Sequence, residues 1–198
     1  MGLLSKLFGG ASGLRSASSA RHNGKRLASI LEAHGKFHRG EAGGQQADLS
    51  GADLARLDLR GANLTDAILK GARLEGASLQ RAKLVRADFE RANLREADLR
   101  NTDMTEAKLP FADLTGAQAS GVEFFRCDMR EARFERANLR NANFRGSNVQ
   151  GAKFSGADMG VTVLRETDLS GADLTGVDLT TTLLPKGYVP PNQKTAHA

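Results

Sequence analysis

The 198-residue sequence has no tryptophan, one tyrosine, one cysteine and four prolines. A single cysteine excludes an intrachain disulfide, so nothing here requires an oxidising compartment. No stretch approaches the ~18 consecutive apolar residues of a membrane-spanning helix. The N-terminal "MGLLSKLFGG" is too short and too interrupted for a signal-peptide core. Lys6 stands where a myristoylation signal wants Ser or Thr. A cytoplasmic protein is the expectation.

Catalytic constellations are also lacking. The histidines are few, and His34 and His38 share helical spacing with no acidic or cysteine cluster to join them in a metal site. Every Gly-rich run reads as a linker or a corner, so no phosphate loop is expected. No cofactor, metal or catalytic residue is predicted.

Charge is unevenly placed. Residues 1–46 carry Lys6, Arg15, Arg21, Lys25, Arg26, Lys36 and Arg39 against Glu32 and Glu41, a net +5. Residues 47–184 carry 19 basic and 21 acidic side chains, a net −2, and the last fourteen carry Lys186 and Lys194. The basic balance therefore belongs to the tails.

What is present is a period of five. Stepping by five from Leu49 to Leu184 gives 28 central positions with no insertion, almost all Leu, Phe, Met or Val, with Ala119 the small exception. Two residues earlier the chain is nearly always small: Ala mostly, with Cys127, Ser147, Val122, Val177 and several Thr, and Leu57 as the large exception. Five is neither a helix nor a strand period. Within a short extended segment, residues two apart point the same way, so the central and small residues face inward together. Cys127, at a small position, is predicted to be a buried apolar side chain.

Units such as "ADLSG", "ANLTD", "ADLTG" and "ANLRN" resemble the pentapeptide-repeat family, whose unit is A(D/N)LxX. The resemblance implies an all-β fold, a right-handed quadrilateral β-helix with one pentad per side and four per coil. It gives about seven coils here, and a rod of roughly 34 Å at ~4.8 Å per coil. Outward residues twenty apart should then be stacked neighbours. At that spacing, outward positions 48–186 give 12 opposite-charge pairs and 4 like pairs. At spacing fifteen the counts are 9 and 6, so four sides are favoured over three. Expected columns are Asp66, Arg86, Glu106, Arg126 and Asp88, Lys108, Asp128. Asp58 with Arg60, and Asp98 with Arg100, are expected as polar groups beside each other at strand edges.

Four segments follow. Residues 1–22 read as a flexible basic N-terminal segment with an apolar tip. Residues 23–46 read as a short capping helix and linker, with Asn23 as N-cap, Leu27, Ile30 and Leu31 on one face and Gly35 as terminator. The helix is expected to dock on the open first coil. Residues 47–184 are the repeat, and 185–198 a C-terminal tail. Around Pro185, either Leu183, Tyr188 and Val189 cap the last coil, or the end forms a homodimer contact, as the resemblance allows. Leu3, Leu4, Leu7 and Phe8 share one side of a helix. They fit a disordered terminus, a protein-docking peptide or a weak membrane-surface anchor.

A filled rod has no deep pocket, so function is expected on the outer surface. The expected role is a non-enzymatic protein-binding or scaffold module. The competing reading, a DNA mimic acting on DNA gyrase as quinolone-resistance-type relatives do, needs a dense acidic face. Summed outward charge is −2 on the side starting at Leu49 and zero on those starting at Leu54, Leu59 and Leu64. None imitates a phosphate backbone, with its charge every ~1.7 Å. Nucleic acid is not an expected partner of the basic arm, which has only Phe8 and Phe37 for base stacking. Val85, Phe125, Val163 and Leu183 are outward yet apolar on the Leu64 side, with Val161 at its approach corner. With Leu3, Leu4, Leu7 and Phe8 they are the candidate partner-binding residues.

Overall fold

A computed structural model describes residues 13–189. The calls made on Leu3, Leu4, Leu7 and Phe8 lie outside that range. From Asp48 onward the residue before each central position forms a parallel bridge with the residue twenty further on, from Asp48 with Ile68 to Lys153 with Asp173; Asp158 and Asp178 are not bridged, and Val163 with Leu183 closes the series. Four pentads therefore separate stacked neighbours. The pairing is built from single bridges, and only Leu57–Asp58 within the repeat extends to a two-residue strand, β4.

The chain turns after most pentads in one way, with exceptions at Ala119 and at Phe124, where Cys127 N–H donates to Ser147 Oγ instead. The Leu49 carbonyl accepts from Ala52 N–H at 3.0 Å, and the same bond recurs at Leu64 with Ala67 and Leu79 with Ala82. The third residue of these turns, Gly171 and Thr181 excepted, takes a left-handed backbone, which Gly adopts freely. Gly61 is one, at φ 66°. Val161 holds the same corner at φ 59°, where a β-branched side chain is strained. The Asp or Asn before the central residue finishes the turn. Its side-chain oxygen accepts the N–H two residues on, as in Asp48 to Ser50 at 3.0 Å and Asn93 to Arg95 at 3.0 Å. This Asx geometry is the physical reason for the D/N of the repeat unit.

The inward positions fill the interior. Central residues from Leu64 to Phe154 are fully buried beside their small partners. Phe124 lies against Phe144 with centroids 4.9 Å apart, and Phe134 against Phe154 at 5.0 Å with rings 6° from parallel. The two stacks meet edge to face, at 5.9 Å for Phe124 with Phe134. Ala119, one pentad before Phe124, offsets the ring's extra volume at core density. Hydroxyls at small positions are satisfied inside: Thr162 donates to the Leu139 carbonyl at 2.8 Å and Thr167 to that of Phe144 at 2.7 Å.

The N-terminal end is covered by more than a helix. Residues 13–22, expected to be flexible linker, are ordered against the repeat. β1 (Arg15–Ser16) pairs in parallel with β4, and Arg15 N–H donates to the Arg56 carbonyl at 2.6 Å. Ala17 and Ala20 are buried. The correction has a plain cause: the first turn exposes unpaired carbonyls, and small residues let a backbone approach them closely. β2 (Arg21–His22) and β3 (Lys25–Arg26) form a hairpin, with Asn23 in its turn at φ 48°. Asn23 is thus not the N-cap. That position is Arg26, with no side-chain cap bond.

α1 runs Leu27–His38, so Gly35 lies inside it. Gly40, at φ 66° with its N–H on the Phe37 carbonyl, makes the left-handed exit instead. Leu27 and Leu31 are buried, while Ile30 is half-buried. At the far end Tyr188 and Leu184 pack partly against the core, while Leu183 and Val189 are exposed.

Candidate functional surface

With the interior occupied, the outward columns are what the protein presents. On the side starting at Leu64, Val85 and Phe125 each follow a buried central residue, Val163 precedes the buried Leu164, and Leu183 precedes the partly buried Leu184. The bridge between Val163 and Leu183 makes those two neighbours. Leu183 is 41% exposed, and Val161 at the adjoining corner is 47% exposed. Phe125 is half-buried beneath the Arg126 guanidinium, whose carbon lies 4.9 Å from the ring centroid. Arg145 Nη2 donates to Glu166 at 2.8 Å on the same flank. Val85 stands two turns away, with Thr105 between it and Phe125, so it is separate from the Val161–Val163–Leu183 group.

One apolar feature escaped the sequence reading. Phe111 occupies a corner two residues after Leu109, is 51% exposed, and carries Arg91 5.0 Å from its ring centroid. Beside it lies a surface depression of about 540 Å³ lined by Pro110, Lys108, Asp88 and Arg130 among others. The test that found Phe125, an apolar residue at an outward position, applies equally to Phe111. Phe37, on α1, is exposed as well.

The charges are largely spent on one another. Arg60 grips Asp58 through two bonds of 2.8 and 2.6 Å, and Arg100 holds Asp98 through bonds of 2.9 and 2.7 Å. Arg86 does the same for Asp66 across one turn, at 2.7 and 2.8 Å. The bonds from Arg60 hold the Asp58 carboxyl below its ordinary value despite burial, and Arg86 does so for Asp66. Of the first expected column only the Asp66–Arg86 step is an ion pair among the described residues, since Arg86 is taken by Asp66 and Arg126 lies against Phe125; in the second, Asp88 pairs with Lys70 and Asp128 with Arg130 instead of with Lys108. Pairing across one turn is the commoner arrangement among the described residues, as in Lys70 with Glu90 and Arg95 with Asp113, while Asp58, Asp98 and Asp128 each pair within the pentad with the arginine two residues on. The guanidinium there reaches the carboxylate that already holds its own N–H.

Cys127 is buried, its thiol donates to the Met104 carbonyl at 2.9 Å, and burial pushes its pKa up to about 12. It is a core residue with no thiolate to offer at neutral pH. His34 and His38 meet at the junction of α1 and the repeat, ring centroids 4.7 Å apart. Among the described residues no group of His, Cys, Asp and Glu could hold a metal ion, and no helix is long and apolar enough to cross a membrane.

A family profile of pentapeptide repeats matches residues 45–81, 82–118, 123–160 and 142–181, in eight copies. No curated protein sequence matches the chain. Solved structures do. A pentapeptide repeat protein from the cyanobacterium Cyanothece 51142 is 29% identical over 49% of this chain, at a TM-score of 0.31. The match spans 63% of that protein's length, less than two thirds. QnrB1, a plasmid-mediated fluoroquinolone resistance protein, is 25% identical, covering 66% of this chain and 78% of its own, at a TM-score of 0.37. A pentapeptide repeat protein of the Arabidopsis thaliana thylakoid lumen is 27% identical over 50% of this chain and 70% of its own, at a TM-score of 0.32.

Proposed function

The chain belongs to the pentapeptide-repeat family, and we propose that it works as a non-enzymatic protein-binding or scaffold module. The family's fold is a right-handed quadrilateral β-helix. In this reading residues 47–184 form about seven coils, residues 13–46 close one end, and residues 185–198 are a tail. The observation that carries the reading is the filled interior. With central and small side chains packed together from Leu64 to Phe154, the rod has no internal chamber in which to hold a substrate. Recognition then falls to the outer surface and to the N-terminal segment.

Two places on the chain suit a protein partner. One is the apolar group of Val161, Val163 and Leu183, with Phe125 two turns away on the same side beneath Arg126, and Arg145 between them. Exposed apolar groups with a polar rim are the usual form of such sites. The other is the tip carrying Leu3, Leu4, Leu7 and Phe8, an apolar group that the sequence sets outside the repeat. The tip also suits a weak membrane-surface contact, and the C-terminal end a homodimer contact. The setting we propose is the cytoplasm. DNA mimicry ranks second, because the ion pairs of Asp58, Asp66 and Asp98 cancel the acidic charge that such a role needs.

Affinity capture with the full chain, a form lacking residues 1–8, and Phe125→Asp tests the reading. Loss of a captured protein on either change, with melting temperature unchanged, supports it. Capture of nothing by any form, or equal capture by all three, sinks it.

A further inference from the structure

We propose that the N-terminal cap is a proton-gated lid, in which uptake of a proton by His34 unseats α1 from the first turn of the repeat. His34 is fully buried, and its Nδ1 accepts the backbone N–H of Ala47 at 3.0 Å. That role requires a bare lone pair on Nδ1, so the neutral ring carries its proton on Nε2. Nε2 is itself buried with no hydrogen-bond partner among the described residues. His38, one helical turn on, stands perpendicular to His34 and donates from Nε2 to the Thr65 carbonyl at 2.6 Å. The same two imidazoles thus seat the helix and face each other.

A second proton on His34 does three things. It replaces the acceptor by a donor, leaving Ala47 N–H opposed to another N–H. It places a charge where water is excluded. It sets that charge beside His38, on which a second charge would repel it. Burial is the largest influence holding His34 below its ordinary value of 6.5, and His38 adds to it. The Thr65 carbonyl and Asp66 work the other way, but the Asp66 carboxylate is already gripped by Arg86. On the outer side of α1, Lys36 pairs with Glu32 at 3.4 Å, and His22 of the hairpin acts on Asp48.

The sign follows from the lowered value. An undocked His34 binds its proton near pH 6.5, whereas the docked one resists it. Docking is therefore at full strength above 6.5 and is lost as pH falls through the lowered value. Lifting α1 frees the Thr65 carbonyl and Ala47 N–H, and with Gln46, whose amide holds the Asp66 carbonyl at 2.6 Å, opens an edge able to receive another strand.

Amide hydrogen exchange of the full chain, corrected for intrinsic rates, tests this at pH ~7.5 and ~5, on either side of the ordinary histidine range. Protection of residues 27–47 should fall by up to ~tenfold per pH unit below the transition. Peptides from residues 109–154 should stay protected. His34→Gln keeps an oxygen acceptor and cannot titrate, so its protection should be the same at both pH values. His38→Gln removes the imidazole whose electrostatic influence lowers His34 and should move the transition to higher pH. Unchanged wild-type protection, or an equal loss in His34→Gln, overturns the proposal. If His34→Gln leaves the cap loose at both pH values, the His38→Gln midpoint decides: an upward shift upholds the lid, and no shift or a downward one overturns it.

Discussion

Phe144 stacks on Phe124, twenty residues earlier, with ring centroids 4.9 Å apart. Phe134 and Phe154 repeat that relation, and the two stacks interlock edge to face. A rod whose inside is this full has little room to relax around a deletion. Phe144→Ala should cost about 3–5 kcal/mol in denaturant unfolding. Arg140→Ala, on the surface four residues away, should cost under about 1 kcal/mol. Equal costs for the two would refute the inward assignment of Phe144.

Val161 gives a prediction of the opposite sign. Its left-handed corner, at φ 59°, is one that an L residue enters at a cost of about 1–2 kcal/mol, and that Asn tolerates better. The backbone N–H there donates to Thr181 Oγ1 at 3.2 Å, a bond that substitution leaves in place. Val161→Asn should therefore raise stability by about 0.5–1 kcal/mol. If partner capture falls at the same time, the strained valine is kept for binding. A lower melting temperature would show that the corner is not strained.

Acid should act through the aspartates. The Asp58 side chain is 2% exposed and held by Arg60, which keeps its carboxyl below the ordinary 3.8. A lowered carboxyl stabilises the fold above the ordinary value and loses that contribution as pH falls through the folded one. The melting temperature should thus drop as pH falls from about 3.8 downward, and Asp58→Asn should flatten part of that drop. A drop of the same steepness in Asp58→Asn would place the acid sensitivity elsewhere.

The repeat was legible because its period is carried by side-chain size, and one inward residue pair per side dictates spacing without help from distant contacts. The opposite-charge count at spacing twenty foresaw the register seen from Asp48 with Ile68 to Val163 with Leu183. The Asx role of Asp48 and Asn93 was not foreseen, since a polar residue at a strand edge looks the same whether or not it closes a turn. Residues 13–22 misled because Gly, Ser and Ala mark a linker in isolation and a close-packed arc when an open edge lies beneath. Gly35 misled likewise: α1 has a later glycine, Gly40, in the left-handed exit. On the surface, Val163 and Leu183 were found by their position in the pentad. Phe111 was passed over because it stands on the side starting at Leu49, apart from the apolar residues that drew notice together on the Leu64 side.

Neutral faces make a further prediction. At micromolar concentration the protein should leave DNA supercoiling by gyrase unchanged, because Asp66, Asp98 and Asp128 each sit in an ion pair with arginine. Inhibition that disappears when such aspartates are neutralised would promote the DNA-mimic reading over the scaffold one.

The central claim is a filled interior with four pentads between stacked neighbours, which leaves recognition to the outer surface. Through-space amide contacts in solution test it most directly. Hydrogen bonds such as Ile68 N–H to the Ala47 carbonyl, Asp88 to Ala67 and Asn143 to Val122 set strands side by side with partners twenty residues apart. The account predicts a series of interstrand proton contacts at that separation along the repeat, unbroken from Asp48 with Ile68 to Lys153 with Asp173 and taken up again at Val163 with Leu183. A series at fifteen or twenty-five residues, or one confined to a few turns, would contradict it.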